Sequence, residues 1–210
     1  MIKDEYFEIL KTALQNESNK DLSKLKKKYK PLLEQKNIYI AGKKITGSEK
    51  YISLYIPIQN EQFYYYFNLN LDKKVISQFS FHEFNKIYFR ATSYKYSLNE
   101  LIKYYGSKPD EGWSKGDKRK IGDSFYKFSS FKINGSDKPE EFETKLKKLL
   151  KKLEKNKKGV KNLAKYAYGH IMVWTVFPDK IFTGLGGYYL DSKVIKSLND
   201  LGLFIQFDIY

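Results

Sequence analysis

Along the first third of the chain the repeat of apolar residues switches from helical to alternating, and that switch predicts the order of the elements. Tyr6, Phe7, Leu10 and Leu14 recur at the three-to-four spacing that lines one helix face. After the turn-like NESNKD, Leu22, Leu25 and Tyr29 begin a second helix, which Pro31 ends because proline has no N–H for the next turn. From Ile38 the period is two. Ile52, Leu54, Ile56 and Ile58 alternate, then Phe63, Tyr65, Phe67 and Leu69, then Val75, Ser77, Phe79 and Phe81. Polar breaks at QNEQ and LDKK make these runs a three-stranded antiparallel meander. Tyr51, Tyr55, Tyr64 and Tyr66 fall on the opposite face, where the two preceding helices are expected to cover them; a stacking platform for single-stranded nucleic acid is the alternative.

From Lys86 a strand-helix-strand pattern occurs twice. IYFRATS leads to Ser97-Leu-Asn-Glu100, the spacing of a capping box, and to a helix closed by Gly106; FYKFSSFKI follows after a polar loop. HIMVWTVF leads through TGLGGYYL to a helix opened by Asp191 or Ser192 and closed by Gly202, with LFIQFDIY directly after it. Joined by one more helix, the two units predict an α+β chain. Residues 86–210 are expected to form a pseudo-duplicated, ferredoxin-like sandwich, preceded in residues 1–85 by a helical hairpin and the meander.

The joining helix, residues 140–156, places Phe142, Leu146, Leu149, Leu150 and Leu153 on one stripe and Lys145, Lys147, Lys148, Lys151, Lys152 and Lys155 on the other side. Ten lysines lie between Lys145 and Lys165 with only Glu154 against them. Lys148, Lys151, Lys152 and Lys155 are therefore a candidate basic face for an acidic partner or for phosphates. The net charge of +15 points the same way, but all of the 39 basic residues except Arg90 and Arg119 are lysine. Readers of bases and phosphates exploit the planar fork of arginine, so the charge predicts solubility and weak, sequence-blind nucleic-acid binding. Abundant Lys, Ile, Asn, Tyr and Phe also fit the codon bias of an AT-rich bacterial genome.

A second candidate site is the loop EGWSKGDKRKIG. A bulky Trp113 stands there among charges, with Gly112 and Gly116 on either side to let the chain fold tightly over an indole whose N–H needs a partner. Trp113 then anchors the loop, and Lys115, Gly116, Asp117 and Arg119 present it to solvent or to a partner, with Asp117 placed to bridge Lys115 or Arg119. Asp208, between Phe207 and Ile209, is the one awkward carboxylate, and Arg90 is the expected basic member of a structural pair with it.

The absence of cysteine removes disulfides, thiolate metal sites and cysteine nucleophiles together. His82 and His170 are the only histidines, both in strand-like apolar surroundings, and no metalloprotease, nucleotide-loop or nucleophile-elbow motif occurs. Gly184, Gly186 and Gly187 precede a helix but lack the lysine and hydroxyl of a nucleotide loop, so they read as a strand-to-helix turn. No catalytic residue, metal or cofactor is implied. The run from Ile171 to Phe177 is too short to span a bilayer, and the charged start lacks the order of a secretory signal, so a cytoplasmic protein is expected.

The helix ending at Gly106, W-S-K-G-D at Trp113 to Asp117, the lysine-rich helix, the strand with Trp174, the helix from Ser192 and the ending L-G-L-x-I-x-F-D-I-Y at Leu201 to Tyr210 occur in one order. Together they resemble the bacterial family described as domain of unknown function 4279, over residues 86–210. Tyr104 and Tyr105 stand before Gly106 where that family's pattern would have an aliphatic. The resemblance implies an intracellular α+β domain and suggests toxin-immunity gene neighbourhoods. Two function classes follow. One is a non-enzymatic protein-binding module, an immunity-type protein that sequesters a toxin or another acidic protein; the other is a nucleic-acid-associated basic protein.

Overall fold

The computed structural model describes residues 2–15, 25, 27–34, 37–46, 50–176 and 188–209. The chain divides into two compact units, residues 1–84 with 176–184 and residues 85–175 with 185–210. Among the described residues the chain is α+β, with five helices and a mostly antiparallel ladder of eight strands.

The first unit opens with helix α1, Ile2–Gln15. Strands β1 (Leu33–Glu34) and β2 (Asn37–Ile38) pair only with each other, while β3 (Gly42–Thr46), β4 (Tyr51–Pro57), β5 (Phe63–Asn70) and the first part of β6 (Val75–Ser93) run antiparallel in order. The meander of the sequence pattern is β4 to β6, and β3 adds a further strand to it. Of the expected second helix, Leu22 lies outside the described residues; the Tyr29 N–H donates to the Leu25 carbonyl at 2.7 Å, and Pro31 already bridges to Ile58. Tyr6, Leu10 and Tyr29 pack on Ile52, Leu54, Ile56, Phe63, Tyr65, Phe67 and Phe81. The helix therefore covers the isoleucine and phenylalanine face, and the expectation that it covers the tyrosine row is overturned. That face offers one buried hydroxyl to satisfy, Tyr65, which donates to the Tyr29 carbonyl at 2.6 Å, so helix burial costs least there. The tyrosine row packs on itself instead, with Tyr55 enclosed by the rings of Tyr64, Tyr66 and His82 and the Tyr66 hydroxyl bonded to Ser53.

In the second unit, β7 (Glu111–Trp113) pairs with β8 (Ser129–Asn134), and β8 pairs with the later part of β6. On the other side of β6 lies β9 (Tyr168–Val176), and β10 (Ile205–Ile209) pairs with β9 in parallel. Ile87, Phe89 and Ala91 of β6, Phe131 and Ile133 of β8, and Ile171 and Val173 of β9 share one core with residues of α2 (Leu98–Tyr105), α3 (Phe142–Glu154), α4 (Lys157–Tyr166) and α5 (Ser192–Leu201). Because strand side chains alternate, all four helices lie on one face. Arg90, Trp113, Ser130, His170, Met172, Gln206 and Asp208 belong to the other face, away from these four helices.

The two strand-helix-strand units repeat in their order of elements and not in their pairing. The first returns through the antiparallel neighbours β6 and β8, whereas α5 joins the adjacent, parallel β9 and β10. A parallel return needs a helix-length crossover, and the helix caps that the sequence predicts are present at both crossovers. Ser97 and Glu100 form the capping box of α2, Asp191 accepts the Val194 N–H at α5, and Gly106 and Gly202 close the two helices in the left-handed region. The TGLGG turn lies outside the described residues.

Helix α3 has the expected apolar stripe, but Lys145 belongs inside it. Its side chain is 1% exposed and its Nζ donates to the Asn85 carbonyl at 2.6 Å. Position 145 stands three residues after Phe142 and four before Leu149, so helical geometry puts it on the buried stripe whatever its charge. Helix α4 is an element that the sequence pattern, whose joining helix ends at residue 156, does not give. Asn156 makes the break: its carbonyl side-chain oxygen caps the Gly159 N–H, and its amide donates to the Tyr105 carbonyl at the end of α2. A Cβ on Gly159 would lie 2.2 Å from that same carbonyl oxygen.

Two outcomes are expected. The buried clusters of the two units share no residue, so a fragment of residues 85–210 is expected to unfold in one cooperative denaturant transition, and a fragment with no transition would contradict separate cores. Gly159→Ala is expected to lower stability by about 1–3 kcal/mol, because the clash with backbone outweighs the better helix propensity of alanine; equal or higher stability in a urea melt contradicts the close approach.

Candidate binding cleft on the helix-free face

The W-S-K-G-D segment is a closed turn. The Ser114 N–H donates to Asp117 Oδ2 at 2.7 Å, the Asp117 N–H donates back to the Ser114 carbonyl, and Gly116, at φ 88°, donates to the Tyr126 carbonyl. Asp117 thus holds backbone instead of bridging to Lys115 or Arg119. The Lys115 N–H donates to Ser129, and Arg119 lies over the Tyr126 ring. Trp113 is half-buried, with its indole N–H donating to the Phe128 carbonyl at 3.1 Å and its ring stacked on Tyr126 at 4.4 Å and 17°. The indole N–H thus has the partner that it needs.

Arg90 meets this anchor from β6. Its guanidinium carbon stands 5.8 Å from the Trp113 ring centre and 5.4 Å from that of Phe128, and Nε donates to Ser130 Oγ at 3.3 Å. Beside it opens a cleft of about 900 Å³. Arg90, Lys95 and Lys165 give it positive charge; Tyr94, Phe128, Tyr166 and Tyr168 give it aromatic walls; His170, Met172 and Gln206 also line it. The walls are held by neighbours in the same unit. Tyr94 meets Phe128 edge to face, and Tyr166 stacks on Tyr104, whose carbonyl accepts from Asn162. Tyr105, the second tyrosine of that pair, is buried against Phe131.

His170 is 3% exposed, stacked on Phe204, with Nδ1 3.2 Å from the Tyr168 carbonyl. Burial pushes its imidazole below the ordinary value; the Tyr168 carbonyl opposes this, Arg90 adds to it, and Asp208 pulls the other way. Arg90 and Asp208 are not on neighbouring strands, since β9 stands between β6 and β10. Asp208 accepts from Gln206 at 3.2 Å, and the two predicted partners act on His170 rather than as a pair with each other.

The lysine face of α3 is less free than its sequence implies. Lys148 pairs with Glu140, Lys147 with Glu143 and Asp191, Lys152 with Asp110 at 3.0 Å, and Lys157 with Asp200. Burial raises the Asp110 carboxyl, but hydrogen bonds from Lys152 and the Asn134 N–H outweigh it and hold the group below the usual range. Of the predicted face, Lys151 and Lys155 remain exposed without an ion pair among the described residues. Neither they nor the W-S-K-G-D turn supply the lining of the cleft. The rim residues Tyr94, Lys95, Lys165, Tyr166 and Tyr168 are not legible in the sequence because, in a chain with 19 tyrosines, YKY and KYAYGH carry no periodic signal. Among the described residues no group of three or more His, Asp or Glu could hold a metal ion.

Trp113→Ala is expected to cost about 2 kcal/mol, less than a fully buried aromatic, and Lys115→Ala less than about 0.5 kcal/mol; equal effects in a denaturant melt contradict the anchor. The buried, depressed His170 binds fewer protons folded than unfolded, so its contribution is full above the unfolded value and is lost as pH falls through the folded one. His170→Phe is expected to flatten the fall in stability below about pH 6.5; an unchanged acid limb contradicts it.

No curated protein and no solved structure matches the chain. The family described as a domain of unknown function, DUF4279, matches residues 82–210. That stretch is more than half of the chain and contains the whole cleft, its Trp113 anchor and the terminal strand, and the chain belongs to the DUF4279 family.

Proposed function

We propose that the chain is a non-enzymatic, cytoplasmic protein-binding module that engages an acidic protein partner through this cleft. A toxin sequestered by an immunity-type protein is the form of partnership the reading favours. One observation carries it: Tyr94, Tyr166 and Tyr168 are 73%, 41% and 57% exposed around a cleft that also presents Arg90, Lys95 and Lys165. Large aromatic surface left in water beside cations matches the composition of protein interfaces, where tyrosine and arginine dominate the binding energy. Tyrosine suits the role because it presents a rigid apolar body and a polar tip with few rotors to freeze.

Nucleic-acid binding is the second reading, favoured by the net charge of +15 and by Lys151 and Lys155. The ion pairs of Lys147, Lys148, Lys152 and Lys157 lower the local positive field, which supports only weak, non-specific affinity. No described helix is long and apolar enough to cross a membrane.

The test is partner capture by cross-linking in the native host, with wild type and Tyr94→Ala/Tyr168→Ala compared at equal folded protein. The double variant is expected to lose at least about tenfold in affinity for the captured protein, the loss typical of an aromatic hot spot. Undiminished capture contradicts the cleft as the interface. Oligonucleotides are expected to bind no tighter than about 10⁻⁶ M at physiological salt, and sequence-specific binding near about 10⁻⁸ M would place the second reading first.

A further inference from the structure

We infer that Arg90 is the anchor for a carboxylate of the bound partner, an acidic side chain inserted into the cleft; this rests on the protein-binding reading. The choice of residue is the first observation. All but two of the 39 basic residues are lysine, and Arg119 lies on the 114–126 loop, so Arg90 is the only arginine in the cleft. A site needing charge alone is served by lysine, as at Lys95 and Lys165 on the same walls. What arginine adds is a planar fork that stacks on aromatic rings and meets a carboxylate with two parallel hydrogen bonds.

The second observation is what the fork lacks. Two rings, Trp113 and Phe128, flank the guanidinium, and Ser130 takes Nε. Those contacts fix its plane and remove one of its five donors. The remaining four, on the two Nη atoms, have no acceptor among the described residues, although Arg90 is half-buried and lines the cleft. Asp208, the carboxylate on the same face, is turned to Gln206 and does not pair with it. A stiffened cation with its bidentate edge unused is a preorganised receptor for a planar oxyanion, because the ordering cost of the side chain is already met before the ligand arrives.

The walls select among oxyanions. His170 is held below its ordinary value, so at neutral pH it adds no charge beside Arg90, whose unused Nη edge matches the two oxygens of one carboxylate. Tyr94, Tyr166 and Tyr168 around the rim suit the aliphatic stems and neighbouring side chains of an acidic peptide segment.

The experiment uses the full chain with three probes at physiological salt: octaglutamate, a glutamate-free octapeptide carrying one phosphoserine, and a short oligothymidylate. Binding is read by anisotropy and by the NMR resonance of Arg90 Nε in the unmodified protein. Octaglutamate is expected to bind saturably and to shift that resonance. Arg90→Lys, which keeps the charge, is expected to weaken octaglutamate about tenfold, while Lys151→Gln, on α3 and outside the cleft, changes it less than about threefold. An unmoved Arg90 Nε resonance at saturation, equal affinity of Arg90→Lys, or tighter binding of the phosphopeptide or the oligothymidylate overturns the inference. Absence of octaglutamate binding overturns it too, and partner capture that still depends on Tyr94 and Tyr168 would then show that the protein-binding reading survives its loss.

Discussion

Everything at the cleft depends on how one-sidedly the second unit buries its sheet. Phe89, Phe131, Leu146, Leu149 and Leu153 have almost no surface left to water, and they tie four helices to a single face. Burying apolar area is the main favourable term in folding, and once one face has received it the other is left to polar and aromatic chains. A sheet treated in this way supplies a rigid floor, and function is then carried by what stands on that floor. Here the floor carries Arg90, His170 and Met172, and the tyrosines stand at its edge, Tyr94 just after β6, Tyr166 at the end of α4 and Tyr168 at the start of β9.

The aromatic neighbours do more than fill space. Trp113 is held by its indole N–H and by Tyr126, and the turn closed by Ser114 and Asp117 holds Tyr126 in turn. Arg90 lies against that stack. The loop with the most specific sequence signature is therefore the support of the cleft and not its mouth, and the charge that distinguishes the chain in composition lies largely elsewhere. Ion pairing draws Asp110, Asp191 and Asp200 onto the lysines of α3 and α4 from segments distant in sequence, and Glu140 from just before α3.

Local chemistry explains how much of this could be read from the chain. The capping box at Ser97, the caps at Asp191 and Gly202, the stripe of α3 and the β4–β6 meander all follow from spacing within a few residues, and all are present. What spacing does not encode is which face another element chooses. The alternating pattern leads one to expect a helix over the tyrosine row, yet α1 packs on the face with fewer hydroxyls, and the charge of Lys145 points to solvent although its phase on α3 is buried. Pairing direction is equally non-local: strand, helix, strand reads alike for β6 to β8 and β9 to β10, yet one return is antiparallel and the other parallel. The cleft brings together residues from 90 to 206, and no window of sequence contains it.

The central claim is that the helix-free face of the second unit, and not the lysine side of α3, meets the partner. Hydrogen-exchange footprinting of the full chain with and without its captured protein measures this directly. Protection is predicted in residues 90–95, 126–130 and 165–172, with the exposed lysine side of α3 unchanged. Protection confined to residues 147–158, with the cleft exchanging as in the free chain, would contradict the account.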